Sequence, residues 1–169
     1  MQKWEKSKKF SGIGICDHDV HYDYRGNLWT IWEENSEPQK LKFNHDKVSV
    51  SKKDVLRGVH GDFKSHKYIS VLFGEIFFVI ADCRNLENKP DRIDSETMIL
   101  SGGRPRSILL PPGFGNAFFV LSDDVVFHYK WCYEGEYPDV ESQFTVKWND
   151  PRLNINWPHK NPILQDRDL

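Results

Sequence analysis

The segment from Lys67 to Cys83, KYISVLFGEIFFVIADC, constrains the fold more than any other part of the chain. Two apolar runs of strand length, rich in Ile, Val and Phe, lie on either side of Gly74-Glu75. β-Branched and aromatic residues favour strands, and a glycine between two such runs is typical of a tight turn. The pattern predicts two consecutive β-strands joined as a hairpin.

The rest of the chain repeats this pattern in shorter runs. SILL, NAFFVLS and DVVFHYKWCY have strand composition, and Pro111-Pro112-Gly113 and Asp123-Asp124 separate them as turns. Aromatic residues reach 14%, and there is little helical periodicity. Many short strands at a spacing of about 8–12 residues favour a sandwich or barrel over an α/β sheet. We expect an all-β, jelly-roll barrel that residues 1–169 form as a single domain.

Composition narrows the possible partners. The net charge is −2, so the chain has no excess of basic residues for nucleic acid. No apolar run approaches the roughly 20 residues of a membrane-spanning helix. Cys16, Cys83 and Cys132 lie far apart without a C-x-x-C pair, which is typical of reduced thiols. We expect a cytoplasmic protein that binds neither nucleic acid nor a membrane.

Polar side chains crowd into VLRGVHGDFKSHK, residues 55–67, between two apolar runs. A metal site here would use His60, His66 and Glu75, with a further histidine after the Pro-Pro-Gly turn. The two histidines are six residues apart, and Asn116 stands where the further imidazole is needed. An amide is a poor transition-metal ligand beside imidazole or carboxylate. We therefore predict that no metal binds.

The same stretch also suits general acid–base chemistry. His60 is a candidate base, but a solvent-facing histidine in a polar loop fits the local pattern equally well. Tyr129 is a candidate acid, but it shares a predicted strand face with Phe127 and Trp131 and so also fits a core position. The residues alone leave both interpretations open.

A series of motifs from about residue 17 to about residue 160 resembles one known family. In order they are DYRG, VLRGVH, GEIFFVIADCR, PPGFGNAFFVLS, FHYKW and WNDPRLNINWP. They resemble the nucleoside-diphosphate 4-keto-sugar 3,5-epimerases, whose type members act on dTDP-4-keto-6-deoxyglucose. The resemblance implies a cupin jelly roll (a double-stranded β-helix) with short peripheral strands or helices. It also implies a homodimer, and neither a metal nor another cofactor.

The resemblance further implies roles for individual residues. His60 matches the catalytic base, and Asp150 matches the carboxylate that hydrogen-bonds its far ring nitrogen. Tyr129 matches the acid that reprotonates the opposite sugar face, and Lys67 matches the lysine beside the C4 oxygen. Inversion requires two such groups on opposite faces of the substrate. The implied substrate contacts are Arg57, Arg25, Trp29, His45, Lys47, Ser49, Asn116 and Tyr137.

Several positions depart from the type members. Asn116 replaces a histidine, and His45 and Lys47 replace a glutamine and an asparagine before the Leu-Arg-Gly motif. KFNHDK, LRGVHGD and PILQDRD are closer to the GDP-4-keto-heptose epimerases of bacterial capsule and surface polysaccharide biosynthesis. We therefore expect a GDP-linked 4-keto-heptose, inverted at C3 and C5 or at C3 alone.

The alternative substrate is the dTDP-linked 4-keto-hexose. A sugar-nucleotide 3,4-ketoisomerase fits less well, because it does not need an acid on the opposite face, which Tyr129 supplies. A non-catalytic sugar-nucleotide-binding cupin also fits less well, because His60, Tyr129, Lys67 and Asp150 are all present.

Overall fold

The structure, a computed structural model, describes residues 3–88 and 91–169. Regular structure in these residues is β-strand, apart from single 3-10 turns at Leu86–Asn88, Val140–Ser142, Pro151–Leu153 and Asp166–Asp168. The strands are β1 (Lys3–Lys6), β2 (Gly14–Asp17), β3 (His21–Asp23), β4 (Gly26–Leu28), β5 (His45–Lys52), β6 (Leu56–Gly61), β7 (His66–Phe73), β8 (Glu75–Asp82), β9 (Ser95–Ser101), β10 (Arg106–Leu110), β11 (Phe114–Val120), β12 (Asp124–Cys132) and β13 (Phe144–Thr145).

Two antiparallel sheets pack face to face. The six-stranded sheet has the order β1-β2-β10-β7-β12-β5, and the five-stranded sheet has the order β13-β6-β11-β8-β9. From β5 to β8 each successive strand belongs to the other sheet, as in a double-stranded jelly roll. The predicted all-β jelly-roll barrel is confirmed.

The core lies between the two sheets because alternate residues of each strand point inward. Phe127 of β12 stacks on Phe118 of β11, with ring centroids 4.4 Å apart. A second apolar cluster lies on the outer face of the five-stranded sheet, where Leu153 and Val146 cover Val59 and Val79. The chain that follows β12 therefore covers one outer face of the barrel.

The predicted hairpin at Gly74-Glu75 is wrong in its pairing. The two strands are present as β7 and β8, and Gly74 has a φ of +80°, which suits glycine. However, β7 pairs with β10 and β12, whereas β8 pairs with β9 and β11. The turn carries the chain from one sheet to the other, because each strand finds partners that are distant in sequence.

A bulge in β6 orients the histidine motif. Arg57 pairs with Phe118, and His60 pairs with Asn116, so four residues of β6 lie opposite three residues of β11. Gly58 lies in the bulge with a φ of +112°, and a Cβ there would come within 2.5 Å of the Asn116 carbonyl oxygen. The extra residue lets Arg57 and His60, three positions apart, face the same interior.

No helix in residues 3–88 and 91–169 is long and apolar enough to cross a membrane.

Candidate active site

The interior side of the six-stranded sheet becomes polar towards one end of β12. Residues paired across antiparallel strands share a face, so rows of side chains run across β7, β12 and β5. The first two of these rows contain polar side chains, and the apolar core begins at the third row. The rows are Lys67–Trp131–His45, Ile69–Tyr129–Lys47 and Val71–Phe127–Ser49.

His60 faces these rows from the five-stranded sheet and is backed by a carboxylate. Its Nε2 lies 2.6 Å from Oδ1 of Asp168. The His60 side chain is 17% exposed, whereas the Asp168 side chain is 0% exposed. A buried carboxylate behind an accessible imidazole orients the ring. The other ring nitrogen is left to take a proton from a bound molecule.

The C-terminal segment brings Asp168 to this position. Ile163 forms a parallel bridge with Val55, and its backbone N–H donates to the Asp54 carbonyl at 2.8 Å. The 3-10 turn Asp166–Asp168 then lies against β6. Arg167 holds the turn to strand β13 by donating to the Thr145 hydroxyl at 3.2 Å.

Tyr129 lies near His60 and comes from the six-stranded sheet. Its phenol forms a hydrogen bond with the side chain of Asn116, the cross-strand neighbour of His60. Burial raises the pKa of Tyr129 to about 12, while the Asn116 hydrogen bond and the nearby Arg57 cation oppose the rise. The phenol therefore carries its proton at neutral pH and can act as an acid.

Lys67 is a buried cation beside this pair of groups. It is 3% exposed, and its Nζ lies 4.6 Å from the Trp131 ring centroid, in cation–π contact. Burial lowers the pKa of Lys67 to about 8, and the Asp62 carboxylate opposes that change. A desolvated ammonium is well suited to stabilise negative charge that develops on a substrate oxygen.

Further polar groups extend the pocket along β5. Arg57 Nε donates to the Ser51 hydroxyl at 3.0 Å. Lys47 Nζ donates to the Tyr137 hydroxyl at 2.8 Å, and the His45 ring stacks at a tilt on the Tyr137 ring, 4.4 Å away. Ser49 lies in the next inward row. Cations and aromatic rings together suit a phosphorylated, base-containing ligand.

A family model described as dTDP-4-dehydrorhamnose 3,5-epimerase matches residues 7–169. The chain belongs to this family. The dTDP-4-dehydrorhamnose 3,5-epimerase of Salmonella typhimurium is 33% identical over 162 residues, which are 91% of this chain and 86% of that protein. The enzyme of the same name from Methanothermobacter thermautotrophicus is 32% identical over 154 residues, 87% of this chain and 80% of that protein.

Solved structures of such epimerases superpose on the whole barrel. The dTDP-4-dehydrorhamnose 3,5-epimerase of Bacillus anthracis, with TDP and PPi bound, gives a TM-score of 0.87 at 27% identity and covers 99% of this chain and 97% of that chain. The Legionella pneumophila enzyme, in complex with dTDP-4-keto-L-rhamnose, gives 0.85 at 29% identity, covering 99% and 90%. The predicted enzyme class, a sugar-nucleotide epimerase with a cupin-like fold, is confirmed.

Asp150 does not have the neighbour predicted for it in this epimerase. Its carboxylate accepts hydrogen bonds from the Arg152 backbone N–H at 2.9 Å and from the Arg152 guanidinium at 2.7 Å. That turn leads to Leu153, which packs on the outer face of the five-stranded sheet, away from His60. Asp150 caps a turn before Pro151, and Asp168 takes the predicted place beside His60.

Arg25 and Trp29 also lie apart from the pocket of the epimerase chain. Arg25 pairs with Asp23 at 2.6 Å on the exposed β3–β4 hairpin. Trp29 lines a groove with Leu72, at the end of β7 opposite Lys67. The predicted contacts at His45, Lys47, Ser49, Arg57, Asn116 and Tyr137 all come from the barrel strands or the segment after β12.

No group of three or more His, Cys, Asp and Glu side chains in the described residues could hold a metal ion. His66, the second histidine of the motif, lies next to Lys67 on β7 and therefore points to the other face of the sheet. Burial lowers the pKa of His66, with Asp62 opposing the change.

Proposed function

We propose that the protein inverts C3 and C5 of a dTDP-linked 4-keto-6-deoxyhexose through an enolate and without a cofactor. The observation that carries the proposal is that His60, backed by Asp168, and Tyr129 both adjoin Asn116 in one inward-facing pocket. Family membership supports the reaction class.

The proposed chemistry uses the acidity of C–H bonds next to a ketone. His60 takes the proton from C3 or C5, and the electron pair of that bond moves onto the C4 oxygen as an enolate. The Lys67 ammonium stabilises the charge on this oxygen. Tyr129 then gives its phenolic proton to the opposite face of the same carbon, and the electron pair returns to form the new C–H bond. Proton exchange with solvent restores neutral His60 and protonated Tyr129.

The names and ligands of the relatives favour dTDP as the nucleotide. The Bacillus anthracis structure holds TDP, and the Legionella pneumophila structure holds a dTDP-keto-sugar. GDP remains the second candidate because His45 and Lys47 place an imidazole and a cation against Tyr137. Guanine presents an acceptor edge that such donors can bind.

Solvent exchange tests the activity and the nucleotide together. The protein is incubated in D₂O with dTDP-, GDP- or CDP-linked 4-keto-sugars, and deuterium at C3 and C5 is followed by NMR. We expect exchange at both carbons, with the highest kcat/KM for the dTDP-linked sugar. Preference for the GDP-linked sugar would select the second candidate. No exchange with any of the three would contradict the proposed function.

Exchange at C3 alone would identify a 3-epimerase. One relative, a dTDP-4-dehydrorhamnose 3-epimerase of Streptomyces niveus, is 32% identical over 133 residues. Both outcomes use the same base, so we assign the difference to how freely the sugar ring turns in the pocket.

We expect substitutions of Asp168 and Asp150 to have different effects on activity. Asp168→Asn should lower kcat by about 10²–10⁴-fold, because the imidazole loses the carboxylate that orients it. Asp150→Asn should weaken the cap on Pro151–Leu153, cost about 1 kcal/mol in the free energy of unfolding, and leave kcat within about threefold. Steady-state kinetics and urea denaturation measure the two effects. Equal losses of kcat would contradict this assignment.

We propose that the enzyme acts in the cytoplasm as a homodimer. Cys16, Cys83 and Cys132 are free thiols, which supports a reducing compartment. The exposed β3–β4 hairpin, with Tyr22 69% and Leu28 74% exposed, supplies an apolar surface for a second copy of the chain. Light scattering measures the mass in solution.

A further inference from the structure

Asp62 is a buried carboxylate that directly follows β6, two residues after His60. It is 1% exposed, and its two oxygens have different surroundings. Oδ1 accepts the backbone N–H groups of Lys64 at 2.9 Å and Ser65 at 2.6 Å, which closes the turn between β6 and β7. Oδ2 has no hydrogen-bond partner among the described residues and lies 3.7 Å from Lys67 Nζ.

The charged groups around Lys67 show why its contact with Asp62 is important. The titratable and charged groups that face the ammonium are the carboxylate of Asp62, the guanidinium of Arg167 and the thiol of Cys83. Arg167 repels the ammonium, and burial raises the pKa of Cys83 to about 11, so that thiol is neutral at pH 7. Asp62 therefore supplies the negative charge that compensates the buried cation.

We propose that Asp62 is a positioning residue of the epimerase, which holds the Lys67 ammonium charged and aimed at the substrate oxygen that gains negative charge. This inference rests on the proposed function, because it assigns Asp62 to the enolate step. One oxygen fixes the turn and the other faces the cation, so the position of the charge is set by the backbone between His60 and Lys67. The reaction requires the ammonium form of Lys67, and kcat should fall as pH rises through about 8, where Lys67 loses its proton.

Asp62→Asn tests the role of the charge. The amide oxygen can still accept the two turn N–H groups, while the negative charge is lost. An opposite charge at this distance shifts a pKa by about 1–3 units. Removing it lowers the pKa of Lys67 further, so the alkaline limb of the kcat–pH profile should move down by about one unit or more. At pH 8 kcat should fall by roughly fivefold or more, with a smaller loss at pH 6.

Two variants serve as controls. Asp62→Glu keeps the charge and should keep the pH of the alkaline limb, although kcat falls because the carboxylate is displaced. Asp124→Asn removes the carboxylate of a surface pair with Lys52, 2.6 Å long, and should leave the profile unchanged. If Asp62→Asn is unstable, Asp62→Ser removes the same charge while its hydroxyl oxygen can still accept a turn N–H, and the result is read in the same way.

A measurement without substrate separates this inference from the proposed function. The Lys67 Nζ signal of ¹⁵N-lysine-labelled protein, assigned with Lys67→Arg, is titrated by NMR in the wild-type and Asp62→Asn proteins. A lower midpoint in the variant supports the pairing even if no sugar is epimerised, in which case the proposed function alone fails. Wild-type epimerisation with an unchanged midpoint and an unchanged alkaline limb in the variant would overturn the role of Asp62.

Discussion

Replacing His60 with asparagine should abolish deuterium exchange at both C3 and C5 and lower kcat by about 10²–10⁴-fold. Asparagine has a similar size and can still contact Asp168, but its amide cannot take up a proton near neutral pH. The proposed reaction uses one base for both carbons, so exchange at C3 and exchange at C5 should be lost together. Exchange is followed by NMR in D₂O, and kcat is measured by product formation.

His128 provides a matched control for this variant. It also contacts a carboxylate through Nε2, with Asp46 Oδ1 at 2.7 Å, but it lies on the face of β12 opposite Tyr129. His128→Asn should disturb the fold to a similar extent and leave exchange intact. If His60→Asn retained exchange at either carbon at the wild-type rate, His60 could not be the base for that carbon.

The strands of this barrel are largely predictable from sequence, and their pairing is not. Period-two alternation and β-branched composition locate β7, β8, β11 and β12, because these signals depend on neighbouring residues. Gly74 is correctly identified as a turn, yet the strands on either side belong to different sheets. Which strands pair depends on contacts between distant segments, and a local pattern carries no information about them.

The candidate site shows the same limit. Four of the predicted site residues lie on strands with clear patterns, and the structure brings them to the interior of the barrel: Lys67, Tyr129, His60 and Asn116. Asp168 follows a bridge at Ile163 that only the folded chain reveals. The sequence around Asp150 indicates a capping role, because an aspartate before a proline is typical of a cap at the start of a helical turn.

The departures in the β5 motif favour a GDP-linked sugar, whereas the names and ligands of the relatives favour dTDP. His45 and Lys47 do lie in the pocket, but they contact Tyr133 and Tyr137 of the same chain. Part of the hydrogen-bonding capacity of His45 and Lys47 is therefore taken up by contacts within the protein.

Replacing Tyr129 with phenylalanine should separate exchange from inversion. His60 can still remove the proton and return a deuteron to the same face, so deuterium should enter with retention at a rate within about tenfold of wild type. Inversion should fall by about 10²–10⁴-fold, because no acid faces the opposite side of the enolate. Proton NMR in D₂O distinguishes the two products, since retention and inversion give different ring couplings.

Tyr68→Phe is the matched control for Tyr129→Phe. Tyr68 is a buried phenol on the neighbouring strand β7, and its hydroxyl donates to the Ile31 carbonyl at 2.5 Å, outside the pocket. Loss of this phenol should change neither exchange nor inversion. If Tyr129→Phe inverted the sugar as fast as it exchanged, water or another group would have to protonate the opposite face. If it lost exchange as well, Tyr129 would act before the enolate forms. Exchange with retention is the result that assigns the two faces of the substrate to His60 and Tyr129 separately.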